Sequence, residues 1–267
     1  MAEYPLHLDS DGRWVHTWVR QSSVKTADMC MQRFRNDIYG LHKEVQKDAS
    51  ALGTACHAAC EDALYAKKNG TEFVANDLFD AFQYHWEEEE LPAIEQWVSY
   101  KPEETHQIGV QKLTNWWNEV YPELNPVGIE HTFDEILHED DERVVHLTGT
   151  IDLVEKDRLW DWKFPKRDYS REAWQYQRWD VQSIAYCFAT GIPSFSYAIM
   201  HPKGVGRIDL VRSQRHIDWF REKVLALCRY VEASPPAPWV LGDNGWWCSE
   251  KWCPSWTQCK GSHIEGA

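Results

Sequence analysis

Apolar residues recur at helical spacing along the first half of the chain and then switch to strict alternation. Residues 22–40 carry the helical pattern, with Cys30 near its start. Ser50 is placed to cap a helix running to about Lys68, which Gly70 would stop. Asn76 is placed to cap the next, through the acidic run 87–90, until Pro92 breaks or kinks it. Residues 105–121 read as a further helix. Residues 127–137 and 143–164 then alternate apolar and polar with period two, which predicts strands. Residues 171–190 return to helical period and end at Gly191. Strands are predicted over 195–200 and 207–211, and Ser213 can cap a helix to about Glu232. The run SPPAP at 234–238 reads as a linker before a Trp- and Cys-rich tail. There is no internal repeat. Helices first, then strands with a helix between them, predict an α/β protein built on a mixed central β-sheet flanked by helices. Three regions follow: a helical N-terminal region over 1–126, a core over 127–233 and the Cys-rich tail over 234–267.

One strand pair carries candidate chemistry. A turn centred on Lys156 and Asp157 sets Asp152 opposite Asp161, Thr150 opposite Lys163, Ile151 opposite Trp162 and Leu153 opposite Trp160. Side chains alternate faces along a strand. One face is therefore apolar and the other holds two acids, a lysine and a threonine. Like charges directly opposite each other destabilise a strand pair. A divalent cation between the carboxylates would remove that cost, and oxygen ligands suit Mg²⁺ or Mn²⁺. The plain alternative is an amphipathic hairpin with one solvated face, and a turn of different length would shift the register.

Composition narrows the class. With 267 residues, 43% hydrophobic and 26% charged, the chain has the make-up of a globular protein with a core. A net charge of −14 argues against a nonspecific nucleic-acid coat protein. The charge is uneven: residues 201–229 hold seven Lys/Arg against three Asp/Glu, while 130–142 hold seven acids and no Lys or Arg. No basic segment followed by an apolar run marks a signal peptide, and the most apolar stretch, 181–200, is interrupted by Gln182, Gly191 and Pro193. A cytoplasmic protein without a membrane span is expected. The eight cysteines then suggest reduced thiols or metal ligands rather than disulfides.

Other residues can join the hairpin. His57 and Glu61 share a helix face, so His57 is a possible third ligand, although a lone helical histidine is more often structural. Gln175, Trp179, Gln182 and Tyr186 fall on one stripe of the helix that follows, which a half-exposed helix face would also explain.

Taken in order, GTACH (53–57), GTID (149–152), DWK (161–163) and QSIAY (182–186) resemble the motifs of the PD-(D/E)xK nuclease superfamily, in its RecB-type branch. The resemblance implies a restriction-endonuclease-like core. It implies that His57, Asp152 and Asp161 bind Mg²⁺ or Mn²⁺ with help from the Trp162 carbonyl, and that Lys163 orients or activates the attacking water. It places Gln182 and Tyr186 against the nucleic-acid strand, with Glu61 as a looser match behind the ligands. Such a site hydrolyses phosphodiester bonds: bound metal lowers the pKa of its water, and an ammonium stabilises developing negative charge.

The tail places Cys248, Cys253 and Cys259 within one short stretch, one ligand short of a tetrahedral site, and Cys30 is the fourth candidate. Here the chain resembles the iron–sulfur subset of RecB-type nucleases, the AddB-type subunits and the CRISPR-associated exonucleases. In these, one cysteine before the core and three after it hold a 4Fe-4S cluster. Four residues separate Cys248 from Cys253, where the commonest step in that subset is two. Zn²⁺ on four cysteines is the alternative. Cys56, His57 and Cys60 form a rival ligand set, though Cys56 and Cys60 read more simply as core, as do Cys187 and Cys228. Sixteen tryptophans exceed what a core needs. Stacking on unpaired bases is worth ~1–3 kcal/mol per base, and Trp179 is the better candidate for it, whereas the tail indoles Trp246, Trp247, Trp252 and Trp256 would shield the cluster.

The expectation is a metal-dependent deoxyribonuclease, an exonuclease on single-stranded DNA ends, alone or within a larger recombination or repair complex. The alternatives are a branch- or flap-cutting endonuclease and a non-catalytic, cluster- or zinc-bearing nucleic-acid-binding protein.

Overall fold

The computed structural model describes residues 8–10, 15–41, 45–172, 179–233, 239, 245, 247–256 and 259. The chain divides into two compact units, residues 1–44, 133–149 and 213–267 in the first and residues 45–132 and 150–212 in the second. Among the described residues no helix is long and apolar enough to cross a membrane.

In the first unit a short strand β1 (Leu8–Ser10) pairs antiparallel with β2 (Val15–Arg20). β2 runs parallel to the first half of β4 (Arg143–Val154), with Val19 opposite Leu147. The expected helix over 22–40 is two helices, α1 (Gln21–Met29) and α2 (Met31–Ile38), because Cys30 is fully extended between them. Its sulfur accepts the Arg33 N–H at 3.5 Å, so Cys30 caps α2. The last helix, α7 (Gln214–Glu232), begins after Ser213 as expected. It is fastened to the strands by Arg221, which donates to the Leu137 carbonyl at 2.9 Å, and by Glu232, whose two oxygens each lie 3.1 Å from Arg143.

The second unit holds the larger core. α3 (Asp48–Asn69) presents Ala51, Leu52, Ala55, Ala59, Ala63 and Leu64 on one buried face, a stripe at helical spacing. Gly70, in the left-handed conformation at φ 66°, ends it as predicted. α4 (Ala75–Tyr84) starts one residue before Asn76, and Asp77 accepts the Val74 N–H at 2.8 Å. The acidic run beyond it winds as a π-helix (His85–Glu90) and then a 3-10 turn carrying Pro92. α5 (Pro102–Glu119) crosses α4 at Gly109, where any Cβ would collide with the Phe82 ring.

In this unit the second half of β4 is followed across the sheet by β5 (Leu159–Lys163), β6 (Ser194–His201) and β7 (Gly204–Val211), and β3 (Gly128–Glu139) also pairs with β4. β4 pairs antiparallel with β5, Leu153 facing Trp160 as the turn centred on Lys156 and Asp157 requires. β5 runs parallel to β6, and the chain crosses between them through α6 (Val181–Thr190). β6 turns back into β7. The apolar hairpin face is core: Ile151, Leu153, Trp160 and Trp162 are all buried.

Trp116 lies fully buried between Trp162, at a centroid distance of 5.9 Å, and Tyr121 at 5.2 Å. Trp116→Ala is expected to cost about 3–5 kcal/mol in denaturant unfolding. A change within error of zero would show that this cluster does not carry the unit.

Candidate active site

The site assembles within the second unit from four elements. β4 supplies Asp152, β5 supplies Asp161 and Lys163, and α3 supplies His57. The fourth is β3 (Gly128–Glu139), which brings Glu130. The antiparallel ladder of β4 and β5 stops at Leu153 and Trp160. Beyond it the Asp152 carboxylate accepts the Trp162 N–H at 2.7 Å, a proton that a continuing ladder would have used. The two strands therefore part where the acids stand. A solvated polar face, the plain alternative for this hairpin, does not occur: Asp152 is 9% exposed and Asp161 only 2%.

His57 Nδ1 lies 3.4 Å from Asp152 Oδ2, and its imidazole also hydrogen-bonds the Trp162 main chain. That bond raises the imidazole pKa, so the partner is an acceptor, the Trp162 carbonyl. Burial outweighs it together with Asp152 and holds the His57 pKa below the usual histidine value. The ring is neutral at neutral pH and keeps a lone pair for a cation.

His57, Glu130 and Asp152 each offer a ligand atom, and these atoms lie within 4.8 Å of one another. Sequence reasoning missed Glu130, which stood there only as one acid of the 130–142 run. Its backbone has φ 44°, left-handed and rare for glutamate. The Val127 N–H bonds the Val154 carbonyl at one end of the β3–β4 pair, and the Asp140 N–H bonds the Arg143 carbonyl at the other. The paired numbers sum to 281 and 283, so β3 carries two extra residues and must bulge. Such a bulge re-aims a side chain. Burial, then Asp152, Glu61 and Asp161, push the Glu130 carboxyl up to about 7. Glu61, the looser match, thus stands close enough to Glu130 to act on its charge.

Asp161 is held at both oxygens. Oδ1 accepts a short hydrogen bond from Gln182 Nε2, and Oδ2 sits 2.6 Å from Lys163 Nζ. The latter contact is an ion pair that leaves Oδ2 without a directed hydrogen bond. Burial raises the Asp161 pKa against the pull of Lys163. Burial also opposes the Lys163 charge, but Asp161 and Asp152 more than offset it and keep the ammonium protonated. Behind the strand, fully buried Lys112 donates to the Phe164 carbonyl at 2.7 Å and to the Tyr100 hydroxyl at 3.0 Å. Burial lowers its pKa to about 8. The Phe164 ring meets His57 edge-on at 5.3 Å.

Gln182 and Tyr186 are both buried, and Gln182 Nε2 is 3.2 Å from the Tyr186 hydroxyl. α6 begins only at Val181, capped by Asp180, whose carboxylate accepts the Ser183 N–H at 3.0 Å. Trp179 therefore precedes the helix in a turn, 37% exposed, and is not on a helical stripe with Gln182. Gln175 lies outside the described residues, as do the linker 234–238 and Trp246.

Cys56 and Cys60 are fully buried core, and burial pushes the Cys56 thiol up to about 12 and Cys60 well above its usual value. They pack among the apolar side chains of this unit's core, where burial disfavours the thiolate form. Cys187 and Cys228 are likewise buried. Cys30, Cys248, Cys253 and Cys259 are all part-exposed and belong to the first unit. Burial raises the Cys253 thiol; the Ser255 backbone and Arg33 pull it down, and the neighbouring Cys248 and Cys30 push it up. Three of the four sulfurs thus share one neighbourhood. Among the described residues they do not close to the spacing that His57, Glu130 and Asp152 reach.

The chain matches no curated protein. A solved structure titled "Crystal structure of SSO0001" aligns over 90% of this chain and 95% of its own, at 10% identity and a TM-score of 0.37. A family model described as the PD-(D/E)XK nuclease superfamily matches residues 19–260, a span that includes all four elements of the site. The chain therefore belongs to the PD-(D/E)XK nuclease superfamily.

Proposed function

We propose that the protein is a Mg²⁺- or Mn²⁺-dependent deoxyribonuclease, an exonuclease acting on single-stranded DNA ends. The observation that carries the reading is the pair of buried carboxylates Asp152 and Asp161 with the part-exposed ammonium of Lys163, beside His57 and Glu130. Carboxylates gathered so that burial, and then Asp152, Glu61 and Asp161, push the Glu130 carboxyl up to about 7 are a fitting donor set for a hard divalent cation, with the neutral His57 imidazole beside them. His57, Glu130, Asp152 and Asp161 would hold it. The cation would lower the pKa of a bound water and polarise the phosphoryl oxygen. The chain's own groups do the rest. Lys163 keeps a positive charge next to Asp161, where it can offset negative charge gathering on the scissile phosphate. Gln182 fixes the Asp161 carboxylate from the other side. Trp179 supplies an exposed indole for stacking on an unpaired base.

In the first unit, Cys30, Cys248, Cys253 and Cys259 would hold a structural 4Fe-4S cluster, with Zn²⁺ as the alternative. The shared neighbourhood of Cys253, Cys248 and Cys30 supports the set. Iron, sulfide and zinc analysis with an absorption spectrum of anaerobically purified protein separates the two.

End-labelled linear and circular single strands test the reaction. Release of mononucleotides or short ends from linear strands, with circles intact, is expected with Mn²⁺. Cutting of circles would replace the exonuclease reading by an endonuclease one, and no cleavage of any DNA would end both.

The pH dependence has a defined sign. Glu130 keeps its proton up to about pH 7, whereas in the unfolded chain it loses it near 4.5. Metal must displace that proton, so Mn²⁺ affinity is expected to fall up to ~10-fold per unit as pH drops below 7. Without metal the folded chain binds the extra proton between these values, so this group's contribution to stability falls as pH rises from 4.5 through 7. Calorimetric Mn²⁺ titrations between pH 6 and 8 check this, and a flat affinity would contradict it.

A further inference from the structure

We infer that Tyr197 is a positioning residue of the nuclease site, the common support of the two groups that hold Asp161. It lies on β6 directly beside Asp161 of the parallel strand β5. Its side chain is buried, 1% exposed. The hydroxyl reaches 2.8 Å to Asp180 Oδ2 and 3.3 Å to Gln182 Oε1. The ring lies 5.7 Å from the Lys163 ammonium, within cation–π range.

These contacts converge on one carboxylate. Asp161 Oδ1 takes its hydrogen bond from Gln182 Nε2, and Oδ2 takes the Lys163 ammonium. Gln182 has a single amide plane, so its Nε2 and Oε1 ends are set together. The single hydroxyl proton of Tyr197 is shared between Asp180 Oδ2, the nearer and charged acceptor, and Gln182 Oε1 at 3.3 Å, so Nε2 is aimed at Asp161 both through the Asp180 cap of α6 and through this longer contact. Asp180 completes the arrangement: it accepts from Tyr197 and from the Ser183 N–H, and so ties the first turn of α6, which carries Gln182, to β6. Arg212 braces the same turn, with its guanidinium 2.8 Å and 3.0 Å from Ser183 Oγ. Tyr197 touches neither substrate nor cation in this account. It acts through Gln182 by its hydroxyl and through Lys163 by its ring, and the two actions are separable by substitution.

The inference rests on the nuclease reading, and its test is chosen to stand apart from it. Tyr197→Phe keeps the ring and removes only the hydroxyl, so it tests the Gln182 branch on a folded protein, confirmed by an unchanged melting curve. In metal-free protein the Gln182 side-chain amide protons are expected to exchange with solvent at least ~10-fold faster in this variant. That readout needs neither metal nor substrate, so it holds whether or not the wild type cleaves DNA. Calorimetric Mn²⁺ binding is expected to weaken ~3- to 10-fold, with kcat at saturating Mn²⁺ near that of the wild type. In a Gln182→Leu background the same substitution is expected to have no further effect on Mn²⁺ binding, because its route is gone. Tyr197→Leu also removes the ring beneath Lys163, and its kcat is expected to drop ~10-fold further. It is the variant at risk of misfolding, and Tyr197→Phe carries the test without it. Unchanged amide exchange in Tyr197→Phe, or full additivity with Gln182→Leu, would overturn the inference. Wild-type protein that binds no Mn²⁺ and cuts no DNA would instead strike the function reading.

Discussion

Lys163→Ala is expected to lower single-turnover DNA cleavage by ~10²–10³-fold or more while leaving DNA affinity within about threefold. The ammonium sits 2.6 Å from Asp161 and is kept charged by Asp161 and Asp152 against its burial. Its removal takes away the positive charge held nearest the carboxylates without touching Trp179 or the rest of the surface. The loss should fall on kcat rather than on substrate binding, because the interaction strengthens as charge develops. Lys163→Arg keeps the charge but replaces a compact ammonium by a broad, planar fork, so only partial recovery is expected. Removing the lysine also leaves Asp161 buried with less to oppose its protonation, so the residual activity should shift to higher pH. Cleavage at the wild-type rate by Lys163→Ala would remove this residue from the chemistry.

The second large effect is expected in the first unit. Cys253→Ala should lower the melting temperature by on the order of 10 °C, the shift that ~3–5 kcal/mol produces in a protein of this size. It should also cut bound iron, or zinc, below half of the wild-type content. Cys253 sits among three short backbone turns: its N–H bonds the Ser249 carbonyl at 2.8 Å, Trp256 bonds back to its carbonyl at 3.1 Å, and Cys259 bonds Ser255 at 3.0 Å. These bonds are local and hold little by themselves. A group shared with Cys30, which caps α2, would join chain segments far apart in sequence, and closing so long a loop is where a metal link stabilises most. Activity per folded molecule should survive, since the carboxylates belong to the other unit. A soluble variant with unchanged metal content, colour and melting temperature would exclude Cys253 as a ligand.

Much of the site was readable because the hairpin declares itself. Two strands joined by a short turn have few registers, and Leu153 opposite Trp160 follows from the turn. Alternation then separates the buried indoles from Asp152, Asp161 and Lys163. What alternation cannot give is which polar face is solvated. Asp161 is buried by Tyr197 and Gln182, residues that reach it only through a parallel crossover. Glu130 was hidden for a different reason: a bulge with positive φ breaks strand periodicity, and a glutamate among other acids looks like surface. Cys30 interrupts a continuous helical pattern because its own sulfur offers a cap to the following turn, an option that periodicity does not weigh. β2 was overlooked, although VHTWVR alternates, because its partner is the parallel strand β4, more than a hundred residues later. Trp179 left the helical stripe because Asp180 caps the helix just after it.

The central claim is a divalent cation held by the acids of β3, β4 and β5. Anomalous diffraction from a crystal soaked in Mn²⁺ tests it most directly. The account predicts one or two peaks within ~2.0–2.3 Å of carboxylate oxygens of Asp152 and of Glu130 or Asp161, beside the His57 ring, and none in an Asp152→Asn crystal. Density elsewhere on the protein, with this pocket empty at saturating Mn²⁺, would contradict it.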